Sequence, residues 1–570
     1  MQECRTDSRG ESFSFNNATM HCACRWLSLV ALASHFACGG GAPDTANRQQ
    51  DGSAETTSNS STSGTTSTLP TDSSTGTPAT NTSSSGASST TSTDTSTDVP
   101  SGVPSLFGAP LVFNPTANGF ELQAVVLSGD PASLSASVRS RGSGSYTPVS
   151  APTHPAEDIA QWQLTGLSPG THYEYRITGS APDGSGTRIL FEGHAVTQRQ
   201  PGTDFSFVLI TDTHVPQPHP AAQQRSTIEA TYTAVMRDIA DLERPDFVVN
   251  LGDMLDFHLY GFNAPPESPK GAREAYMNYR SLMGPLLGRT AHFPVIGNWE
   301  GENGCFGEDV IERSRSQRLL YMPAPEPTTY PEGGSPDEDY YAFEWGDALF
   351  VVLNVMTYTT TCHELSVAGG TPEDWTLGPE QLAWFEKTLA EATAKWRFVL
   401  IHHVVGGAAG NQANANYGRG GGQSAYIGEQ ALVHELMLQA GVQIFFYGHD
   451  HVFTDMVVDG IHYPMPGSAG APWKFVTSET GYVNYWPDSG YGRVRVSPHQ
   501  VQVDFVALGG RELYSYRIPD PEHVSLNPPP SRPSDLDGGI GSDSGVDASS
   551  FEPDASLLRD AAPLTDAEAR

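Results

Sequence analysis

The chain has 570 residues, 65 acidic against 31 basic, and a formal charge of -34 at neutral pH. That excess disfavours long-range attraction to a nucleic-acid backbone, so nucleic acid is not an expected partner, although a local cationic centre can still accept a phosphate. The length allows at least one large buried core, interrupted by compositionally biased segments at both ends.

Residues 1–38 hold one apolar stretch, 26–37, with Arg25 before it and Cys38-Gly39-Gly40-Gly41 after it. It is too short to cross a bilayer and has the form of an export signal. Small residues closing on a cysteine resemble a bacterial lipoprotein signal, with Cys38 as the acylated first mature residue. His35 stands where that pattern carries an aliphatic residue, and a plain signal peptide with an incidental cysteine is the alternative. The region before Met20 fits no export pattern, which makes Met20 a candidate start. An exported protein is therefore expected, held to an outer membrane, the periplasm or the cell surface as a lipoprotein, or otherwise secreted. Residues 39–101 are almost entirely Ser, Thr, Gly, Ala and Asp with prolines. Such a segment cannot bury enough surface to offset its ordering entropy, and as a disordered linker it holds the domains on the order of 40 Å from an anchor.

Residues 110–197 alternate short β-rich runs, at 122–127, 135–139, 162–164, 172–178 and 189–195, with turns. The phrase Leu164-Thr165-Gly166-Leu167-Ser168-Pro169-Gly170-Thr171-His172-Tyr173-Glu174-Tyr175-Arg176 resembles the fibronectin type III family near its penultimate strands. An all-β sandwich over residues 102–199 is expected, with no metal-ligand cluster of its own. Orienting the next domain is its expected role; carbohydrate or partner binding is the alternative.

Residues 204–508 alternate strands with helical segments at 226–242, 272–287, 379–394 and 429–440, and end in strands at 492–496 and 502–508. The expected class is α/β (α+β), two central sheets flanked by helices. Five of its apolar strands run into clusters of ligand-type residues. Residues 205–210 lead to Asp212 and His214, 247–251 to Gly252-Asp253, 293–296 to Gly297-Asn298, 398–401 to His402-His403, and 442–446 to Tyr447-Gly448-His449-Asp450-His451. Carboxylates, an amide and imidazoles together suit iron, zinc or manganese better than calcium or magnesium. They exceed what one tetrahedral ion needs, so two adjacent ions fit better. No Ser-His-Asp or Cys-His pattern competes with this reading.

Asp212-x-His214, Gly252-Asp253-x-x-Asp256, Gly297-Asn298, His402 and Gly448-His449-x-His451, in this order, resemble the calcineurin-like metallophosphoesterase superfamily. The branch most similar is that of the purple acid phosphatases, which place a small β-sandwich ahead of the catalytic domain. The resemblance implies that Asp212, His214, Asp253 and His451 hold one ion, and that Asp253, Asn298, His402 and His449 hold the other, with Asp253 bridging. It implies a phosphoric ester hydrolase in which the ions generate hydroxide and clamp the phosphoryl oxygens during in-line attack. A phosphate monoester is the expected substrate. The alternatives are a phosphodiesterase and, from another class, a metal-binding surface protein with impaired turnover.

Two departures from the family pattern bear on this. Asp256 replaces the tyrosine of the iron-tyrosinate phosphatases, so no purple colour is expected, and Asp256 is expected to hydrogen-bond the loop rather than ligate. Trp299 replaces the histidine that follows Gly-Asn. Either His403 or His258 supplies the missing acid, or the substrate has a good leaving group, or catalysis is impaired; a positioned acid is worth about 10² to 10⁴ in rate. Asn298, Trp299 as a stacking wall, and Arg419 are the candidate substrate contacts. Arg419 lies with Asn411 and Asn414 in the Gly-rich loop 406–422, for which a plain surface loop is the competing reading. His434, in an amphipathic segment, is expected to be structural, and His219 and His292 carry no motif.

With Cys4, Cys22 and Cys24 in the leader and Cys38 acylated, Cys305 and Cys362 remain, and one disulfide is expected between them, with two separate thiols as the alternative. Residues 519–570 carry eleven acidic and three basic side chains and read as a disordered acidic tail.

Overall fold

The computed structural model describes residues 102–216, 225–256, 269–358, 376–403, 429–475, 482 and 484–520, all within the compact unit Thr93–Arg570. The expected leader with Met20 and Cys38, the linker up to 101, and the tail beyond 520 lie outside the described residues, as do His219, His258, Cys362, Asn411, Asn414 and Arg419.

All five anticipated β runs of the N-terminal part lie inside strands. His172–Ser180 shows why: its residues alternate between half-buried and buried, so Tyr173, Tyr175 and Ile177 share one inward face. One antiparallel sheet is centred on Gly119–Ser128, which pairs with Ser105–Leu106, Leu111–Thr116 and Ile159–Leu164. The other runs Thr147–Pro148, Leu134–Ser140, His172–Ser180, Thr187–Val196. Leu122, Ala124 and Trp162 of the first pack on Leu134, Ala136, Tyr175 and Ile177 of the second. Ser168 N–H donates to the Tyr173 hydroxyl at 2.8 Å, pinning the corner before that strand. Leu111–Thr116 escapes pattern reading because its register shifts between Phe113 and Thr116, where Asn114 is left-handed and Pro115 lacks a donor.

The second part holds two larger sheets. The first runs Ala291–Pro294, Phe247–Asn250, Phe205–Ile210 in parallel, then Gly490–Val496, Gln500–Ala507 and Arg511–Pro519 antiparallel. It thus continues past the expected limit of 508, through a strand whose exposed, charged sequence hides its pairing. The second runs Tyr341–Trp345, Ala348–Val352, Trp396–Leu400, Ile444–Phe446, Ile461–Pro466, Phe453–Val458, Tyr485–Trp486. Phenylalanines fill the space between them: Phe207 stacks on Phe247 at 5.1 Å and meets Phe350 edge-on, and Phe293 stacks on Phe343 at 4.1 Å.

Helices Arg225–Asp238 and Pro269–Met283 cover the outer face of the first sheet through Tyr232, Val235, Tyr276 and Tyr279. Gly378–Glu391 and Glu429–Gln439 cover the second through Phe385, Leu389, Val433 and Met437. A further helix, Glu308–Tyr321, lacks an apolar stripe because its buried face is polar: Arg318 is fully buried against Glu302 at 2.7 Å.

The sandwich and the two larger sheets share one hydrophobic core. Polar contacts lock the junction as well. Tyr175 donates to Gly288 O at 2.7 Å, and Tyr330 donates to Pro115 O at 2.8 Å. Arg280, fully buried, donates to Gln123 Oε1 at 2.6 Å, Gln123 O at 3.2 Å and Tyr321 O at 3.1 Å. Burial lowers its pKa to about 10, so it stays charged near neutrality. Arg280→Met keeps the length but removes every donor, and should lower the unfolding free energy by roughly 2–4 kcal/mol through stranded buried acceptors. Urea titration followed by tryptophan fluorescence would show this; an unchanged midpoint would mean those acceptors are satisfied otherwise.

Candidate metal centre

The parallel strands of both sheets end on one side, where side chains from five successive loops meet. Asp212, His214, Asp253 and His451 form one group whose ligand atoms lie within 4.8 Å of one another, and His402, His403 and His449 form a second. Asp253 Oδ2 joins them, 3.4 Å from His214 Nε2 and 3.1 Å from His402 Nε2. Every member is buried.

Local backbone geometry turns these side chains inward. Asp212, His214, Asp253, His449 and His451 all have left-handed φ, at 51°, 47°, 52°, 80° and 60°. Such conformations cost on the order of 1–3 kcal/mol each and persist only where the surroundings impose them. The imposing bonds are visible: Asp212 N–H donates to Gly252 O, His214 N–H to Asp253 O, and Gly448 N–H to His402 O. Gly252 has φ of 104°, and a Cβ there would sit 2.7 Å from His402 Nδ1, so both conformation and space require glycine.

The donor set fits cations. His402 Nδ1 lies 2.9 Å from Leu251 O and His451 Nδ1 lies 3.0 Å from Trp473 O; a carbonyl only accepts, so each Nδ1 carries the proton and each Nε2 presents a lone pair. The His402 lone pair faces a carboxylate, Asp253 Oδ2 at 3.1 Å, and that of His451 lies between His214 Nε2 at 3.1 Å and Asp212 Oδ1 at 3.3 Å. Acceptor against acceptor in a buried site is unfavourable unless a positive charge lies between them. Asp253 Oδ2 and His402 Nε2 accordingly have no hydrogen-bond partner. The same conflict appears in the electrostatics of these side chains. Burial opposes charge on His402, yet Asp253, Asp212 and Glu300 raise its pKa to about 9, while burial drives His214 down to about 3. Burial opposes the charge of Asp212, but His451, His402 and His214 hold it below the usual carboxylate range. The residues are thus compatible with a dinuclear centre centred on Asp253.

The remaining expected residues fall around this cluster. Asn298 is buried, and its carbonyl accepts from Asn303 Nδ2 at 3.1 Å. The Trp299 N–H donates to Asp253 Oδ1 at 2.9 Å, and its ring meets His214 edge-on at 5.3 Å. His403 lies in the second group, its ring 3.8 Å from that of His449. Asp256 is buried in a short strand beside Pro216 and belongs to neither group. His434 bonds Tyr463 and Asp459, and His292 bonds Tyr279, so both are structural. Cys305 is disulfide-bonded, its partner lying outside the described residues.

Sequence reasoning missed Glu300, which accepts from the N–H groups of Gly297 at 2.6 Å, Met254 at 2.6 Å, Asp253 at 3.2 Å and Leu255 at 3.3 Å. Burial, with Asp253 next, raises its pKa to about 8, against the four donors that favour its charge. It also missed Trp473 and Phe475, whose rings lie 5.5 Å and 5.2 Å from His451. Glu300 was readable as the fourth residue of Gly297-Asn298-Trp299-Glu300; the aromatics carry no local signal. Glu300→Gln puts an amide donor against backbone donors, and should weaken metal retention by roughly ten- to a hundredfold, as outer-shell changes do. Elemental analysis after dialysis against graded chelator would read this; full retention would dismiss the role.

Residues 205–453 match the family model described as calcineurin-like phosphoesterase. No curated protein matches the chain. Among solved structures it is similar to a purple acid phosphatase from yellow lupin (Lupinus luteus) seeds, with 16% identity and a TM-score of 0.51 over 72% of this chain and 74% of that one. It is also similar to GAP50, the anchor in the inner membrane complex of Plasmodium, at 15% identity and a TM-score of 0.36 over 56% of this chain and 89% of that one. A putative 5'-nucleotidase from Staphylococcus aureus matches at 15% identity and a TM-score of 0.30, over 56% of this chain and 54% of that one. At these identities the lupin likeness concerns the fold, mixed sheets and helices behind a β-rich N-terminal part.

Proposed function

Residues 205–453 form a calcineurin-like phosphoesterase domain, metal-dependent hydrolases of phosphoric esters, and from that premise we propose that this chain cleaves phosphate monoesters at two ions. The observation that carries the proposal is the joining of two buried ligand groups at Asp253. Bound there, iron, zinc or manganese supplies Lewis acidity and an activated water-derived nucleophile. Asp212, His214, Asp253 and His451 would hold one ion; Asp253, His402 and His449 would hold the other, with Asn298 completing it. The chain's own residues do the rest. Asp253 is fixed by Trp299 N–H, so its two oxygens have separate tasks. Trp299, Trp473 and Phe475 narrow the approach past His214 and His451 and exclude water. His403, its ring tilted against that of His449 at 3.8 Å, delivers the proton to the leaving oxygen in place of the absent histidine.

Trp299 favours one second reading, a phosphodiesterase, since an indole N–H can hydrogen-bond an oxygen but cannot release its proton to a leaving group as an imidazolium does. The β-sandwich belongs to the fibronectin type III class in this reading, on its strand pairing and the Tyr173 corner. Export with a lipid anchor at Cys38 rests on residues 26–41.

The full chain, assayed on aryl phosphate monoesters and diesters with iron, zinc or manganese, should prefer monoesters, and Asp253→Asn should lower turnover by roughly a hundredfold or more. Preference for diesters would establish the second reading; two bound ions without turnover on either would leave a metal-binding surface protein. His403→Ala should lower kcat by roughly 10² or more for poor leaving groups and little for good ones. Equal losses on both would remove His403 as the acid.

A further inference from the structure

At the opposite ends of the strands that carry the metal ligands lies a cavity of about 320 Å³, at the junction of the sandwich with the first catalytic sheet. It is large enough for a small ligand. Arg141, His172 and His194 line it from the sandwich side, and Arg244, Asp246 and Arg289 from the catalytic side. Arg244 to Asp246 precede Phe247–Asn250, and Arg289 precedes Ala291–Pro294, whereas Asp253 and Asn298 follow those strands. Strands of four residues rise on the order of 13 Å, so this cavity, at their opposite ends, is separate from the metal centre.

Its charge runs against that of the protein. In a chain of net charge -34, the lining carries three arginines and two histidines against a single carboxylate. That carboxylate is already committed: Asp246 accepts from Arg199 at 2.7 and 2.8 Å and from Trp345 Nε1 at 3.1 Å. Glu174, the carboxylate that acts on His194 from the neighbouring strand, is held by Arg139. Arg141, Arg244 and Arg289 themselves form no ion pair with a described residue. Burial, then Arg289, Arg141 and His172, hold the His194 imidazole below its ordinary range, and burial with Arg199 does the same to His172, so the arginines carry the positive charge of the cavity. Like charges gathered in a concavity repel, and an anion seated among them relieves that repulsion beyond what solvent screening does. The guanidinium fork matches phosphate oxygens better than it matches water.

We propose that this cavity is an anion site that takes the phosphate group of inorganic phosphate or of a small phosphate ester. It does not depend on the catalytic reading, because none of its residues belongs to the metal centre. The test is calorimetric titration of the full chain with orthophosphate, with and without metal, alongside an Arg244→Ala/Arg289→Ala double variant at two exposed positions. Stripped of metal, the protein should still bind one phosphate, and the double variant should bind it at least about tenfold more weakly, a 1.4 kcal/mol difference. Loaded with metal, the parent should bind one phosphate more than the double variant, which keeps the test valid if stripping unfolds the chain. Phenyl phosphate titrated into the metal-stripped protein distinguishes the sources: tighter binding than orthophosphate assigns the site to an ester, weaker binding to the inorganic ion. Absence of any phosphate binding outside the metal centre, or equal binding by parent and double variant, would overturn the proposal.

Discussion

Four backbone N–H groups from two neighbouring loops end on one buried carboxylate, Glu300, and the geometry of the centre follows from that convergence. The loops leave adjacent parallel strands in fixed register, Asn250 beside Pro294. Without a common acceptor their amides would be buried donors facing each other. Glu300 makes them a single cradle, and from it Asp253 projects with one oxygen held by Trp299 N–H and the other turned toward two imidazoles. A buried carboxylate outside both ligand-type groups thereby sets where Asp253 points.

The strained residues fit the same logic. A left-handed backbone is tolerated most readily by glycine, yet five such positions at this cluster are aspartates and histidines, side chains of ligand type set where the chain turns. The stiffness that holds them comes from below, where phenylalanines from both sheets stack between the parallel strands. The rigid slab and the strained rim are two ends of the same strands.

Much of this was legible. Apolar runs ending in Asp, Asn and His announced the strands and their loops, because parallel strands buried on both faces must be continuously apolar and their C-terminal ends must turn. Sandwich strands announced themselves by alternation. What escaped did so for physical reasons. Glu308–Tyr321 buries an arginine, so its pattern reads as solvated. Arg511–Pro519 lies at a sheet edge, exposed on most of its length, and its pairing is a long-range fact. Trp473 and Phe475 reach His451 from a segment with no motif, and only folding brings them there. The place of His403 beside His449 was equally invisible, since adjacency to His402 in the chain says nothing about which way the ring turns.

The sandwich looks, from its strand pattern, like a bead that could be strung before any domain. Its core is not its own. Trp162 and Tyr175 belong to the same apolar cluster as Phe207 and Phe350, and Gln123 reaches a guanidinium rooted in a catalytic helix. Domains joined by a wet seam can be shuffled between proteins, whereas a shared interior ties their histories together. A substitution in either part is felt by the packing of both, so the two are constrained to change in step, and recombination between 199 and 205 would leave each half with an open interior.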